Sequence, residues 1–283
     1  GAPKEILTKA KPHIGTDRLE IVVKNIRKKI ESLGGEVKLE CKLTKLIVAN
    51  KFVHGVSYEH KGESFDLETD TVIMAIGHSA RDTVEMLYSL GVDIMQKPFS
   101  VGARIEHPQK LINEAQYGRF ANHPKLGAAD YKLACHGLHE RGAYTFCMCP
   151  GGTVVAAASE KECVIVNGMS SLARDGENAN AAVVVAVTPD DFGHCPLDGV
   201  AFARSIEQKA YTLTGSYKGA GTTVGGFLDG KPEIAGTVSP TYALGCKATE
   251  LRDVFPKFVT DMLEGGLQNF SRKMKCFGDK GAM

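Results

Sequence analysis

Two thiols stand one residue apart in Cys147-Met148-Cys149-Pro150, just ahead of Gly151-Gly152. That spacing admits three readings: a redox-active or substrate-facing thiol pair, metal ligands, or strand neighbours pointing to opposite sides. A zinc site would bring two to four residues between its cysteines and a matching second half. Cys135-His136 supplies neither, so no metal site is expected. Cys41, Cys163, Cys195, Cys246 and Cys276 read as core or surface thiols.

A second kind of chemistry is offered by the stretch from Thr71 to Asp82. Its apolar run ends at Gly77, where a backbone without a Cβ admits a ligand closely. A helix starting near His78-Ser79 would turn unpaired N–H groups toward an anion such as a pyrophosphate. Arg81 could add a bidentate donor. The same pattern also fits an ordinary tight turn. His13, His78 and His107 each stand at the edge of a regular element, where an imidazole can face a cleft or simply pack. Arg104 and Glu106 are two apart on one strand, share a face, and could pair with each other. Arg174-Asp175-Gly176 reads as a turn, and Asn178 and Asn180 add polar groups that could serve a substrate or the loop. Gly219-Ala-Gly221-Thr-Thr-Val-Gly225 imitates a phosphate loop. It has Val224 in the third glycine place and no apolar strand before it, so it reads as a flexible connection.

The elements that must hold these residues follow from periodicity. Apolar residues from Leu19 to Leu33 recur at helical spacing behind Thr16-Asp17, with Gly34-Gly35 as the stop. Segments 36–50, 51–60 and 63–68 alternate as a three-stranded meander, with Asn50-Lys51 as a turn. Thr71–Ile76 is expected as a short buried strand and Ala80–Leu90 as a helix. Strands follow at Phe99–Ile105, Tyr131–Cys135, Ala143–Met148, Val154–Ala158, Val164–Val166 and Ala181–Val187. Leu197–Leu213 and Phe255–Phe277 read as helices. The whole is a mixed α/β (α+β) chain. Its expected parts are an incomplete dinucleotide-type unit with an antiparallel β-meander over 1–91, a β-rich block over 92–245, and a helical segment over 246–283.

Several long segments carry a family resemblance. They are Lys11-Pro-His-Ile-Gly-Thr-Asp17, Ala75-Ile-Gly-His-Ser-Ala-Arg-Asp82, Lys97-Pro-Phe, Arg104-Ile-Glu-His107, Cys147-Met-Cys-Pro-Gly-Gly152, Asn167-Gly-Met-Ser170, Arg174-Asp-Gly-Glu-Asn-Ala-Asn180 and Ser239-Pro-Thr-Tyr242. Together they resemble a family of uncharacterised, mostly bacterial FAD-dependent dehydrogenases. The meander followed by an apolar strand ending Ala-x-Gly resembles the wider glutathione-reductase-like flavoproteins with two dinucleotide domains. The resemblance implies an oxidoreductase in which FAD takes a hydride from a small organic substrate. It implies flavin contacts at His13, Gly15, Thr16, Ala75, Gly77, His78, Ser79 and Arg81. It further implies substrate contacts at Arg104, Asn167 and Arg174, and catalytic candidates at His107, Cys147 and Cys149. The G-x-G-x-x-G turn that such proteins use to grip the pyrophosphate is not found here. The chain is therefore expected to begin after the first βαβ unit, to keep only part of the FAD site, and to be inactive alone. Residues 1–85 are expected to be less stable than the β-rich block.

Composition narrows the partners. Lys plus Arg number 34 against 33 for Asp plus Glu, a net charge of +1 that gives no basic field for nucleic acid or anionic lipid. No segment approaches the apolar length of a membrane span. Eight cysteines spread over 283 residues suit a reduced, cytoplasmic chain better than a disulfide scaffold. A small-molecule substrate, NAD(P)H or another redox partner, and self-association remain open. A binding module without catalysis, or a flavin-independent thiol-redox protein using Cys147 and Cys149, are the alternative readings.

Overall fold

The apolar period behind Gly15 forms α1 (Thr16–Ser32), the first long element of the computed structural model, which describes residues 1–138 and 141–283. Thr16 opens this helix rather than capping it; its hydroxyl donates to the Ser170 carbonyl instead. The meander follows as β1 (Cys41–Ala49), β2 (Phe52–His60) and β3 (Glu63–Glu68), paired antiparallel in that order. Asn50 and Lys51 both take positive φ, as a two-residue hairpin turn matched to strand twist requires.

Thr71–Ile76 departs from expectation. It is not a strand among the described residues, and Ile73 is 88% exposed. Among the described residues no strand pairs with it to complete a ladder, and Val72 and Met74 are only half-buried. The next helix, α2 (Arg81–Ser89), starts at Arg81 rather than at His78-Ser79.

The main sheet begins with β4 (Phe99–Pro108), which runs into α3 (Gln109–Tyr117), and continues with β5 (Ala134–Leu138) and β6 (Arg141–Cys149). The hairpin β7 (Gly152–Ala156) and β8 (Val166–Ser170) intervenes before β9 (Asn178–Val187). The strand order is β4-β9-β6-β5, all antiparallel, with Arg104 opposite Ala182 and Tyr144 opposite Val184. The short α4 (Pro189–Phe192) leads to α5 (Asp198–Thr214). Then comes β10 (Gly219–Gly221), turning through Thr222-Thr223 into α6 (Val224–Asp229). The Gly-rich segment is thus an ordered strand-to-helix junction and not a flexible connection. Its strand is short and pairs in parallel with β11 (Cys246–Ala248), a partner distant in sequence. The chain ends through α7 (Leu251–Val254) and α8 (Lys257–Lys273).

Side-chain alternation gives the sheet two distinct faces. On one face Ile105, Ala181, Val183 and Val185 meet Val259, Met262, Leu263 and Phe270 of α8, forming the main core. The other face carries Gly102, Arg104, Ala182 and Val184, and looks toward α5 and the β7–β8 hairpin. No residue of α1 is buried: Val23 is 61% and Ile26 56% exposed. No helix among the described residues is long and apolar enough to cross a membrane.

Candidate functional site

A cavity of about 440 Å³ lies between the second face of the sheet and its cover, within the usual ~300–1,000 Å³ of small-molecule sites. Gly102, Arg104, Ala182 and Val184 form its floor, while Val154, Val166, Ile206, Tyr242 and Phe255 surround it. Most of this lining is apolar, and its charged groups are gathered into a few places.

At one place Arg104 is held by neutral oxygens alone. Its guanidinium donates to Asn180 Oδ1 at 2.5 Å, to the Cys147 carbonyl at 3.2 Å and to Asn167 Oδ1 at 3.3 Å. No carboxylate comes within 4.0 Å of it among the described residues. Glu106 lies on the same face but does not pair with it, contrary to the expectation from their spacing. The Glu106 carboxylate instead accepts from the Thr241 N–H at 2.9 Å, the Thr241 hydroxyl at 2.7 Å and Asn178 Nδ2 at 3.2 Å. The Thr241 hydroxyl also accepts from the Val154 N–H, tying the hairpin to β4. Gly168 makes the arrangement around Arg104 possible: a Cβ there would overlap Asn180 Oδ1 and the guanidinium.

Elsewhere on the wall, Arg81 pairs with Glu207 at 2.6 Å and with Glu160 at 2.5 Å, and Arg204 also holds Glu160. Hydrogen bonds from Arg204 and then Arg81 keep the Glu160 carboxyl below its ordinary range, against the opposing pull of burial. Arg81 was expected to offer its fork to a pyrophosphate. The correction is electrostatic: a buried guanidinium needs carboxylates, and the chain supplies two. Glu160, Cys163 and Glu207 lie together, but their carboxylates serve these arginines.

Three further site expectations change. His107 is fully buried on the α8 face of β4, with its ring 4.7 Å from Phe277 and neither ring nitrogen partnered. Burial lowers its pKa to about 4, against the weaker pull of Asp279. It is fully buried and does not line the cavity, so it cannot reach a substrate there. Cys149 is buried and its thiol is pushed up to about 11, chiefly by burial and then by Cys147, so it is no thiolate at neutral pH. Cys147 is exposed. Residues two apart on a regular strand share a face; here a bulge lies between Phe146 and Cys149, with Cys147 at φ 47°, leaving Cys147 exposed while Cys149 is buried. Arg174 sits at φ 54° in a turn that packs on the Gly151 backbone, away from the cavity lining.

The two segments implied to contact flavin dock on one hairpin from opposite ends. His13 Nε2 meets the Ser171 carbonyl at 2.8 Å, Thr16 bonds Ser170, Asp17 accepts from the Leu172 N–H, and Gly15 packs against the Leu172 backbone. At the other end the Ser159 hydroxyl bonds the Ser79 carbonyl, beside the Arg81–Glu160 pair. Ala75, Gly77, His78 and Ser79 form an exposed stretch between them in sequence, and His78 borders the cavity. Gly77 has φ 69° with open space where a Cβ would stand, so a ligand's close approach there is sterically free. The residues therefore fit FAD in part: the Gly77–Ser79 backbone suits it, whereas Arg81 is committed elsewhere. Of the groups around the cavity, Tyr242 was signalled by Ser239-Pro-Thr-Tyr242; Thr222 carried no signal, since only the β10–β11 pairing brings it there.

Fold and site together define an α/β protein with a partly open cavity of small-molecule size against an antiparallel sheet. Residues 98–283 match the family described as FAD-dependent protein, C-terminal domain-like, and the chain belongs to that family. An uncharacterized protein of Clostridium beijerinckii is 45% identical over 287 residues, a match taking in 100% of this chain and 53% of that protein. The chain thus spans about half the length of the curated relative it matches. A solved flavin-dependent brominase, Bmp2 as a triple mutant, is 13% identical with a TM-score of 0.31, covering 65% of this chain and 37% of that one. A likeness at that level says nothing about chemistry here. Family membership makes the chain's function flavin-related.

Proposed function

We propose that this chain forms the substrate-side half of an FAD-dependent oxidoreductase whose longer parent transfers a hydride from a small organic molecule to flavin. The observation that carries this is the docking of residues 13–17 and 79–81 at the two ends of the β7–β8 hairpin, whose inner face covers the cavity. One hairpin then separates a flavin-side surface from a substrate-side hollow. FAD, when bound, supplies a two-electron acceptor for a hydride leaving a substrate C–H bond. The chain's own residues supply the rest. The Gly77–Ser79 backbone and the segment from His13 to Thr16 would hold the cofactor. The apolar walls exclude water, and Arg104, positioned by Asn167, Asn180 and the Cys147 carbonyl, orients the substrate. The residues 1–91, 92–245 and 246–283 would then serve as flavin-binding, substrate-covering and supporting parts.

The thiol-redox alternative loses support from the burial of Cys149. The binding-module alternative keeps one observation in its favour, a partly open cavity formed by this chain's own residues. The test is a visible absorption spectrum of the longer parent polypeptide purified with added FAD. A flavin spectrum that bleaches with reductant, and is lost in Gly77→Val, is the expected result. A folded, colourless protein that ignores FAD would reject the oxidoreductase and leave the binding module.

A further inference from the structure

We infer that the cavity takes a molecule with an apolar body and a carboxylate head, and that Arg104 is the residue that selects the head. Two features of the Arg104 surroundings point there. First, Arg104 is a guanidinium at the rim of an apolar hollow with no acidic partner among the described residues. Its neighbours are two amide oxygens and a backbone carbonyl, which fix its plane but leave its charge uncompensated. The planar fork matches a carboxylate in two parallel hydrogen bonds, shorter and stronger than those between neutral groups. Second, Asn180 is fully buried, and its Nδ2 has no acceptor. It lies on the same face of β9 as Ala182 and Val184, next to the guanidinium it anchors. Asn180 does not line the cavity, so it contributes by fixing the guanidinium's plane and not by touching the ligand.

The nearby negative charge does not cancel this. Glu106 is already caged by Thr241 and Asn178, and the Glu207 carboxylate is spent on Arg81. The remaining surroundings are mostly apolar, among them Val101, Val154, Val184 and Ile206, and suit the ligand's body. The substrate role of this ligand rests on the proposed flavin-linked function; its binding does not.

The test is isothermal titration of the 283-residue chain with three probes that share one apolar body: decanoate, decanol and decylamine. Decanoate is expected to bind at least roughly tenfold more tightly than decanol. Arg104→Met should erase that margin and leave decanol binding within about twofold. Arg104→Lys keeps the charge without the fork and should retain part of the margin, which guards against misreading a folding defect; thermal melting of each variant checks the fold. Equal binding of decanoate and decanol, a preference for decylamine, or a margin that survives Arg104→Met would overturn the assignment. Carboxylate selection by a protein that never reduces flavin would sink the oxidoreductase and keep this site. Flavin reduction without carboxylate selection would do the reverse.

Discussion

Arg104 and His107 are three positions apart on one strand, and that odd separation decides their fates. One borders the cavity; the other is sealed against Phe277, where an imidazole has no partner. The consequence for His107 is a pH dependence. Unfolded, it takes up a proton near pH 6.5; folded, only near 4. Between those values the unfolded chain alone is protonated, so stability present above pH 6.5 falls away as pH drops toward 4, by about 3 kcal/mol. Urea midpoints for wild type and His107→Leu, measured from pH 7 to pH 4, check this: the variant should lose that much less on acidification. The paired thiols give a second residue-level expectation. Iodoacetamide should label exposed Cys147 and Cys195 well before buried Cys149, Cys163 and Cys276, as read by peptide mass mapping. Comparable labelling of Cys149 in the native protein would contradict its burial.

At the scale of elements, α1 and α8 are equal in length, both amphipathic, and opposite in circumstance. α8 buries Val259, Met262, Leu263 and Phe270 against the sheet, whereas α1 buries nothing. Phe270→Ala should therefore cost about 3–5 kcal/mol, while Val23→Glu with Ile26→Glu should change stability by less than about 1 kcal/mol. Denaturant unfolding of the two proteins decides it. Most of this was legible beforehand: the period behind Thr16, the meander with its Asn50-Lys51 turn, and the apolar run of β9 each announce their element. What failed depended on partners remote in sequence. Thr71–Ile76 reads as a strand by composition but finds no neighbour. Gly219–Gly221 reads as loose but is fixed by Cys246–Ala248. Arg81 reads as a ligand donor because nothing nearby in sequence reveals Glu160 and Glu207. Near the cavity, Arg104 and Asn167 stand out from their motifs, whereas the tight fit at Gly168 appears only when Arg104 and Asn180 pass beneath it.

For the whole molecule, the contiguous core lies between Ile105 and Ala282, and residues 1–91 are tied to it through polar contacts such as His13–Ser171 and Arg81–Glu207. Hydrogen exchange should accordingly show α1 and the meander opening at lower free energy than β4, β9 and α8. Uniform protection across a monomer would refute that. The placement of β9 has a consequence in time. It sits between β4 and β6, both of which leave the ribosome earlier, and the cavity floor pairs Arg104 with Ala182. Until Asn178–Val187 emerges, β4 waits with both edges open through the synthesis of four other strands. Such non-local pairing is slow, and waiting edges recruit foreign strands. The nascent chain is thus most exposed to misassembly before its central strand arrives, and a chaperone that shields Phe99–Pro108 would raise its yield more than one acting after release.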